Sequence, residues 1–113
     1  QGWQQAEFRD RIVKREREGY FRYWARQVKE RVAVPVITVG GYRSLDLMED
    51  AVASGDADFV ALCRPFIREP DLVASWRAGE QRRPTCISCN KCFENIATGA
   101  RLRCMVGKKE GDV

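Results

Sequence analysis

The sequence predicts an α/β fold in which helices join parallel strands. Three observations support this class. The chain has 113 residues and is 44% hydrophobic, which is enough apolar surface to order a core. Two short runs are continuously apolar rather than alternating, which is typical of strands that are covered on both faces of a parallel sheet. Segments with helical periodicity precede, separate and follow these runs, so the predicted order is helix, strand, helix, strand, helix.

The first helix is predicted after a polar N-terminal segment. Residues 1–19 are interpreted as a surface loop or weak helix, because they contain few large apolar groups and end in a glycine. Over residues 20–32, apolar side chains then recur at helical spacing, with Tyr20, Trp24 and Val28 in one stripe. This pattern predicts an amphipathic helix that packs through that stripe.

The first strand and the helix after it have clear boundaries. The run of mostly β-branched residues 34–39 predicts a strand, which a pair of glycines ends. Ser44 is the predicted N-cap of a helix that runs through Ala53 and stops at Gly55. The buried side of this helix is expected to carry three apolar residues, namely Leu45, Met48 and Val52.

The second strand is predicted at residues 58–62. A loop at residues 64–69 follows, and then a helix that has Pro70 as its first position and runs to about Gly79. Two parallel strands joined by a helix make one right-handed βαβ unit. From residue 81 to 113 the composition shifts to a cysteine-rich tail without periodicity, which is interpreted as an irregular, separate unit.

The loops at the ends of both predicted strands have features of an anion site. Gly40 and Gly41 leave backbone N–H groups able to approach a ligand closely, and a helix N-terminus follows. Cys63 follows the second strand and precedes Arg64, whose guanidinium can direct two donors onto a phosphate. Loops after adjacent parallel strands open on one edge, so they are expected to grip one phosphate, as loops after the last two strands of a (β/α)8 barrel frequently do. A tight turn and an ordinary surface arginine are the structural alternatives.

Four stretches of the chain carry a family resemblance: Tyr20-Phe21 and residues 34–41, 55–60 and 64–72. In these stretches the chain resembles the old yellow enzyme and 2,4-dienoyl-CoA reductase group of FMN-dependent oxidoreductases. The resemblance implies that residues 20–80 are the last two βα units of a TIM barrel. It also implies that backbone N–H groups near Gly40, Gly41 and Cys63, together with Arg64, hold the FMN phosphate. The implied reaction passes a hydride from NADH or NADPH through FMN to an activated alkene or related acceptor.

Four cysteines of the tail have the spacing of a metal or cluster site. Cys86, Cys89, Cys92 and Cys104 are separated by two, two and eleven residues. Three thiols at such short intervals can surround one iron–sulfur cluster, and a distant fourth cysteine completes the shell. Zinc is less favoured, because a four-cysteine zinc site usually pairs two C-x2-C units, and structural thiols are the other alternative. The resemblance implies a [4Fe–4S] cluster, which the dienoyl-CoA reductase subgroup carries immediately after the last barrel helix.

Composition and charge exclude several other functions. The sequence contains no histidine, so a His base, a Ser-His-Asp triad and a His metal ligand are not expected. The net charge of +4 is scattered among acidic neighbours, which argues against nucleic acid as a partner. No apolar run is long enough for a membrane span. Five cysteines without a secretory signal favour a reducing, cytoplasmic setting.

The leading hypothesis is therefore the C-terminal portion of an FMN-dependent NAD(P)H:flavin oxidoreductase. Residues preceding Gln1 would hold the flavin ring and the small-molecule substrate, so the present residues are expected to be inactive alone, and no catalytic residue is assigned among them. Two alternatives stay open. One is a non-catalytic, four-cysteine metal-binding module on a βαβ scaffold. The other is an inactive fragment that forms a homo-oligomer through its strand edges.

Overall fold

The computed structural model describes residues 12–107, which form α-helices and one two-stranded sheet. After a 3-10 turn, the elements in chain order are α1 (Arg22–Lys29), β1 (Ile37–Val39), α2 (Leu45–Ala53), β2 (Phe59–Ala61), α3 (Arg64–Arg68), α4 (Leu72–Arg77) and α5 (Lys91–Ala97). The predicted α/β class is confirmed. None of the helices in residues 12–107 combines the length and the apolar surface that a membrane span needs.

The two strands are parallel neighbours, as predicted. Their register pairs Ile37 with Phe59 and Val39 with Ala61, and α2 makes the connection between them. Helix α1 packs near β1, and α2 packs near β2. Because both strands run in the same direction, their carboxyl ends lie at one edge of the sheet. The segments that follow the strands therefore emerge side by side.

The sheet is covered on one face only by the part of the chain that is described. Thr38 is 1% exposed, whereas Ile37, Val39 and Phe59 are 62%, 51% and 59% exposed. Successive strand residues point to opposite faces, so the three exposed side chains share the face opposite Thr38. Residues 12–107 therefore do not provide the predicted cover on both faces of the strands.

The apolar stripe of α1 is also exposed. Trp24 is 63% exposed and Val28 is 49% exposed, and α1 has no buried residue. The helix is shorter than the predicted residues 20–32, and the prediction that its stripe is packed is wrong at these two positions. The sequence pattern indicates an apolar stripe that is suited to burial. Whether that stripe is buried depends on a partner surface outside the helix.

Helix α1 is fastened to the βαβ unit through its cations. Arg22 donates from Nε to Asp56 at 2.6 Å and from Nη2 to Asp50 at 2.7 Å. Lys29 Nζ lies 2.6 Å from both carboxylate oxygens of Asp58, which also accepts the backbone N–H of Val36 at 2.8 Å. These charged groups hold α1 against the start of both strands.

We expect Asp58→Asn to lower the melting temperature by a few degrees at pH 7. The hydrogen bonds from Lys29 and from the Val36 N–H hold the pKa of Asp58 below its ordinary value of 3.8. A carboxylate of this kind stabilises the fold above its unfolded pKa, and the contribution is lost as the pH falls through its folded pKa. The difference from wild type should therefore shrink as the pH is lowered from 7 to below 3.8. Thermal melts across this range, with Glu49→Gln as an exposed control, measure the effect, and an equal difference at both pH values would contradict it.

Helix α2 begins and ends as predicted, but its buried face is rotated. Ser44 is the N-cap, and Gly55 follows the helix with φ +80°. Met48 and Ala51 are buried, whereas Val52, which was expected inside, is 42% exposed. Positions three apart lie on one face of a helix, so the side facing the sheet is centred on Met48 and Ala51.

The segment after β2 contains a helix where the sequence indicates a loop. Helix α3 spans Arg64–Arg68 and has Pro65 in its first turn. A proline there sacrifices no intrahelical hydrogen bond, because the first N–H groups of a helix have no partner inside it. Helix α4 starts at Leu72 after an N-cap at Asp71, so the prediction of Pro70 as the first helical position is wrong by two residues.

The predicted irregular tail contains helix α5. This helix begins directly after Asn90, whose φ is +64°. Of its seven residues only Cys92 is buried, so the segment lacks the apolar stripe by which a helix is recognised in a sequence. The prediction of irregular structure is therefore wrong for these residues.

The N-terminal segment is described from Ile12 onward, and the earlier part of the predicted loop or weak helix lies outside the described residues. Arg15–Arg17 form the 3-10 turn and contain no buried residue. Ile12, in contrast, is 0% exposed. The segment is therefore anchored to the core at Ile12 and runs along the surface after it.

Candidate functional site

The segments that follow the two strands meet in one pocket. A cavity of about 100 Å³ lies between them, and its lining includes all four residues predicted to hold a phosphate: Gly40, Gly41, Cys63 and Arg64. Pockets for drug-sized ligands typically have roughly 300–1,000 Å³. This cavity is smaller than that range. We call it the phosphate pocket, after the group that the sequence predicts for it.

The glycine pair in this pocket is required by the packing of Tyr20. Gly40 and Gly41 have φ of +137° and +71°. A Cβ atom on Gly41 would lie 2.8 Å from Tyr20 Cε1, and one on Gly40 would lie 3.0 Å from Tyr20 Cε2. The Tyr20 N–H also donates to the Gly40 carbonyl at 3.3 Å. The glycines thus shape the turn irrespective of any ligand, and Tyr20 is a packing residue.

The N-terminus of α2 is already occupied by the carboxylate of Glu18. Its Oε2 accepts the backbone N–H groups of Arg43 at 2.9 Å and Ser44 at 2.8 Å, and its Oε1 accepts the Ser44 hydroxyl at 2.8 Å. Arg83 forms an ion pair with it at 3.0 Å, and the Glu18 side chain has no exposed surface. An anion at this end of a helix is favourable, and here the protein supplies its own. Glu18 therefore binds the two backbone N–H groups that directly precede the first helical residue, Leu45.

Arg64 stands at the first position of α3, where it borders both the phosphate pocket and the tail. It is 7% exposed, and its Nη1 donates to the side-chain carbonyl of Asn90 at 2.6 Å. A guanidinium has five N–H donors and can hold an amide and a phosphate at the same time. The predicted phosphate ligand is thus also a contact to the cysteine-bearing tail.

The four tail cysteines line a second cavity of about 20 Å³, which we call the cysteine cavity. Cys92 is buried, the other three are half-buried, and none of the cysteines in residues 12–107 is in a disulfide. Within this part of the chain, no group of three or more His, Cys, Asp or Glu residues is arranged to hold a metal ion. The cavity has room for about one water molecule. The predicted ligands therefore surround one small space without converging on a single ion.

Cations face two of these thiols. Arg43 Nη2 lies 3.7 Å from Cys86 Sγ, and Arg68 Nη1 lies 3.4 Å from Cys104 Sγ. Burial raises the pKa of the Cys92 thiol, and the neighbouring Cys86 and Cys89 raise it further. Four soft sulfur donors beside guanidinium groups fit the chemistry of a negatively charged iron–sulfur cluster.

Arg43 is the site residue that the sequence interpretation missed. It follows the glycine pair and Tyr42, and it is 2% exposed. Its Nη1 donates to the Tyr42 carbonyl at 2.6 Å, and its Nη2 donates to Ser88 Oγ at 2.6 Å. Its Nε is buried and has no hydrogen-bond partner among the residues that the structure describes. Burial lowers the pKa of Arg43, and the Cys86 thiol opposes this shift.

Comparison with known proteins gives a consistent set of relatives. A model of the NADH:flavin oxidoreductase / NADH oxidase family matches residues 6–83. The chain is 39% identical over 84 residues to 4,4'-dithiodibutanoate disulfide reductase of Rhodococcus erythropolis. The aligned residues cover 74% of this chain and 21% of that protein. It is also 38% identical over 101 residues to NADH oxidase of Thermoanaerobacter brockii. In that alignment 83% of this chain and 15% of that protein are covered.

A solved structure agrees with these relatives. The 6-hydroxypseudooxynicotine amine oxidase of Pseudomonas geniculata N1 superposes with a TM-score of 0.72 at 34% identity, covering 78% of this chain and 13% of that chain. The present chain thus spans between 13% and 21% of the length of these three proteins. The family match contains the whole set of predicted phosphate ligands and ends before Cys86.

Proposed function

The chain belongs to the NADH:flavin oxidoreductase / NADH oxidase family, and we propose that it is the part of an FMN-dependent oxidoreductase that binds the flavin phosphate. The proposal rests chiefly on the phosphate pocket, in which Gly40, Gly41, Cys63 and Arg64 meet at the carboxyl ends of two parallel strands. Ligands of α/β proteins are bound at this edge of the sheet.

In this proposal β1 and β2 are the last two strands of a (β/α)8 barrel. The exposed sheet face, with Ile37, Val39 and Phe59, lies opposite the face that contains buried Thr38. Branched and bulky side chains of this kind fill the interior of such barrels. Six further strands would cover this face and pair the two sheet edges, which accounts for continuous apolarity in strands that are half-exposed here.

The roles of the pocket residues follow from their chemistry. Backbone N–H groups of the glycine turn would bind the phosphate oxygens, and Arg64 would neutralise their charge with parallel donors. Tyr20 holds the turn in shape, and Phe93 from α5 closes one side of the pocket. When bound, FMN supplies hydride transfer between a reduced nicotinamide and an acceptor. The flavin ring and the substrate would be bound by other parts of the whole enzyme.

We further propose that the cysteine cavity is a [4Fe–4S] site. Its support is the sharing of one cavity by Cys86, Cys89, Cys92 and Cys104, with Arg64 lining both this cavity and the phosphate pocket. The cysteine spacing favours the cluster over zinc, because a four-cysteine zinc site usually pairs two C-x2-C units. Unbridged thiols agree with a reducing, cytoplasmic location, which is also part of the proposal.

The donor and acceptor are proposed by class. NADH is the proposed electron donor, because the family and one relative are named for it. The acceptor is an activated alkene or a related small molecule. None of the relatives named above supports either alternative, the non-catalytic metal-binding module or the self-associating fragment.

Arg64→Ala in the full-length protein is expected to weaken FMN binding by about 10- to 100-fold, which corresponds to the loss of charge-assisted hydrogen bonds to a phosphate. Titration of apoprotein with FMN, followed by the quenching of flavin fluorescence, measures this affinity. Riboflavin lacks the phosphate, so its affinity should change little in the same variant.

Arg77→Ala is the matched control, since Arg77 is an exposed arginine on the neighbouring helix α4. It should bind FMN like the wild type. Equal FMN affinity in wild type and Arg64→Ala, or an equal loss for riboflavin and FMN, would rule out the phosphate role.

A further inference from the structure

Two residues of the cysteine segment, defined as residues 86–92, are held in an uncommon backbone conformation. Ser88 and Asn90 have φ of +56° and +64°, and within residues 12–107 they are the two non-glycine residues with positive φ. L-residues rarely adopt this region, because the Cβ atom approaches the backbone too closely. Asparagine adopts this conformation more readily than most residues, so the conformation costs free energy chiefly at Ser88.

Each of these two residues is bonded to an arginine that follows one of the strands. Arg43 Nη2 donates to Ser88 Oγ at 2.6 Å, and Arg64 Nη1 donates to Asn90 Oδ1 at 2.6 Å. Ser88 and Asn90 separate the three closely spaced cysteines, so their backbone angles decide where the thiols point. The arginines of the phosphate pocket thus reach the positions that control the geometry of the cysteine cavity.

We propose that Arg43 is a positioning residue of the cysteine site, because its hydrogen bond holds Ser88 in the left-handed conformation that turns the thiols toward one cavity. This inference rests on the proposed function of the two sites. It assigns Arg43 no contact with the flavin or with a reacting atom.

The surroundings of Arg43 suit this role. Arg43 is 2% exposed and Ser88 is 1% exposed, so their hydrogen bond is shielded from water. Charge-assisted hydrogen bonds are stronger in such a buried place than in water. The backbone N–H of Arg43 is itself fixed by Glu18 at 2.9 Å. The Arg43 backbone is therefore fixed by Glu18, and its guanidinium is held by the Tyr42 carbonyl and by Ser88.

The test uses the full-length protein, reduced and without metal or flavin. Alkylation by iodoacetamide, followed residue by residue by mass spectrometry, reports the accessibility of each thiol. Cys92 is buried and Cys63 is exposed. The alkylation rate of Cys92, divided by that of Cys63, therefore reports whether the cysteine segment is folded. Arg43→Gln is expected to raise this relative rate about tenfold, the factor that corresponds to one charge-assisted hydrogen bond.

Substitutions at Ser88 separate backbone positioning from other roles of Arg43. Alanine and glycine both lack the hydroxyl acceptor, but only glycine adopts positive φ without strain. Ser88→Ala should therefore raise the relative Cys92 rate about as much as Arg43→Gln, and Ser88→Gly should stay near wild type. Adding Ser88→Gly to Arg43→Gln should reverse most of the increase. These comparisons decide the proposal even if Arg43→Gln alone does not fold.

Two results would overturn the proposal: an unchanged Cys92 rate in both Arg43→Gln and Ser88→Ala, or equal rates in Ser88→Ala and Ser88→Gly. The alkylation measurement needs neither cluster nor flavin. Its outcome therefore does not depend on whether the proposed function is correct. Iron and sulfide contents of anaerobically purified wild-type protein test the cluster itself. In protein that carries iron, Arg43→Gln should retain less iron than wild type, and Ser88→Gly should restore it.

Discussion

Glu18→Ala is expected to lower the free energy of unfolding of the full-length protein by about 3 kcal/mol. The carboxylate accepts three hydrogen bonds of 2.8–2.9 Å at the start of α2. Without it, the N–H groups of Arg43 and Ser44 lose their acceptor in a place where Glu18 itself has no exposed surface. Arg83 is 37% exposed and can be hydrated, which keeps the loss below that of a fully buried pair.

Urea denaturation followed by circular dichroism measures this loss. Glu16→Ala removes an exposed glutamate two residues earlier and should change the stability by less than about 0.5 kcal/mol. Glu18→Gln keeps one acceptor oxygen and loses the charge, so we expect an intermediate loss of about 1–2 kcal/mol. A Glu18→Ala variant as stable as Glu16→Ala would show that the network around Glu18 contributes nothing to the fold.

Gly41→Ala is expected to cost roughly 3 kcal/mol of stability, from backbone strain and a steric clash together. Gly41 has φ +71°, and a Cβ atom there would lie 2.8 Å from Tyr20 Cε1 and 3.3 Å from Ile12 Cγ1. Ile12 is 0% exposed, and the Tyr20 ring is rigid, so neither neighbour moves away easily. Displacement of the turn should also lower the affinity for FMN.

Gly55→Ala provides the matched control for the backbone term. Gly55 also has positive φ, +80°, but nothing lies within 4 Å of an added Cβ atom. Its cost should be about 1–2 kcal/mol, that of the left-handed conformation alone. The difference between the two variants isolates the clash with Tyr20 and Ile12, and equal losses in denaturant melts would exclude that clash.

The parts of the fold that could be predicted from the sequence are those with local causes. Gly55 marks the end of α2 through its positive φ, which is a local property. Ser44 lies at the predicted N-cap position, although its hydroxyl donates to Glu18 and does not cap the helix. Gly40 and Gly41 follow a run of β-branched residues, and Arg64 follows a second apolar run. Since parallel strands carry their loops at one edge, the meeting of these residues in one pocket also follows from the sequence pattern.

The features that were missed depend on residues far apart in the chain. Glu18 is separated by 25 residues from Arg43, and Arg43 by 45 residues from Ser88. In the sequence Glu18 closes a run of charged residues that resembles any solvated surface, and no local pattern marks Arg43. Trp24 and Val28 show the converse, because an apolar stripe indicates that a surface can be covered but does not identify what covers it.

The Glu18 contacts also have a kinetic consequence. They join the start of α2 to a residue 25 positions earlier, and to Arg83 much later in the chain. Closing such long loops costs conformational entropy before the contacts stabilise anything, so non-local contacts slow folding. We therefore expect the contacts of Glu18 with Arg43, Ser44 and Arg83 to form later than helix α2 and the local turns. Capture of a phosphate would then be among the last steps in the assembly of the folded protein.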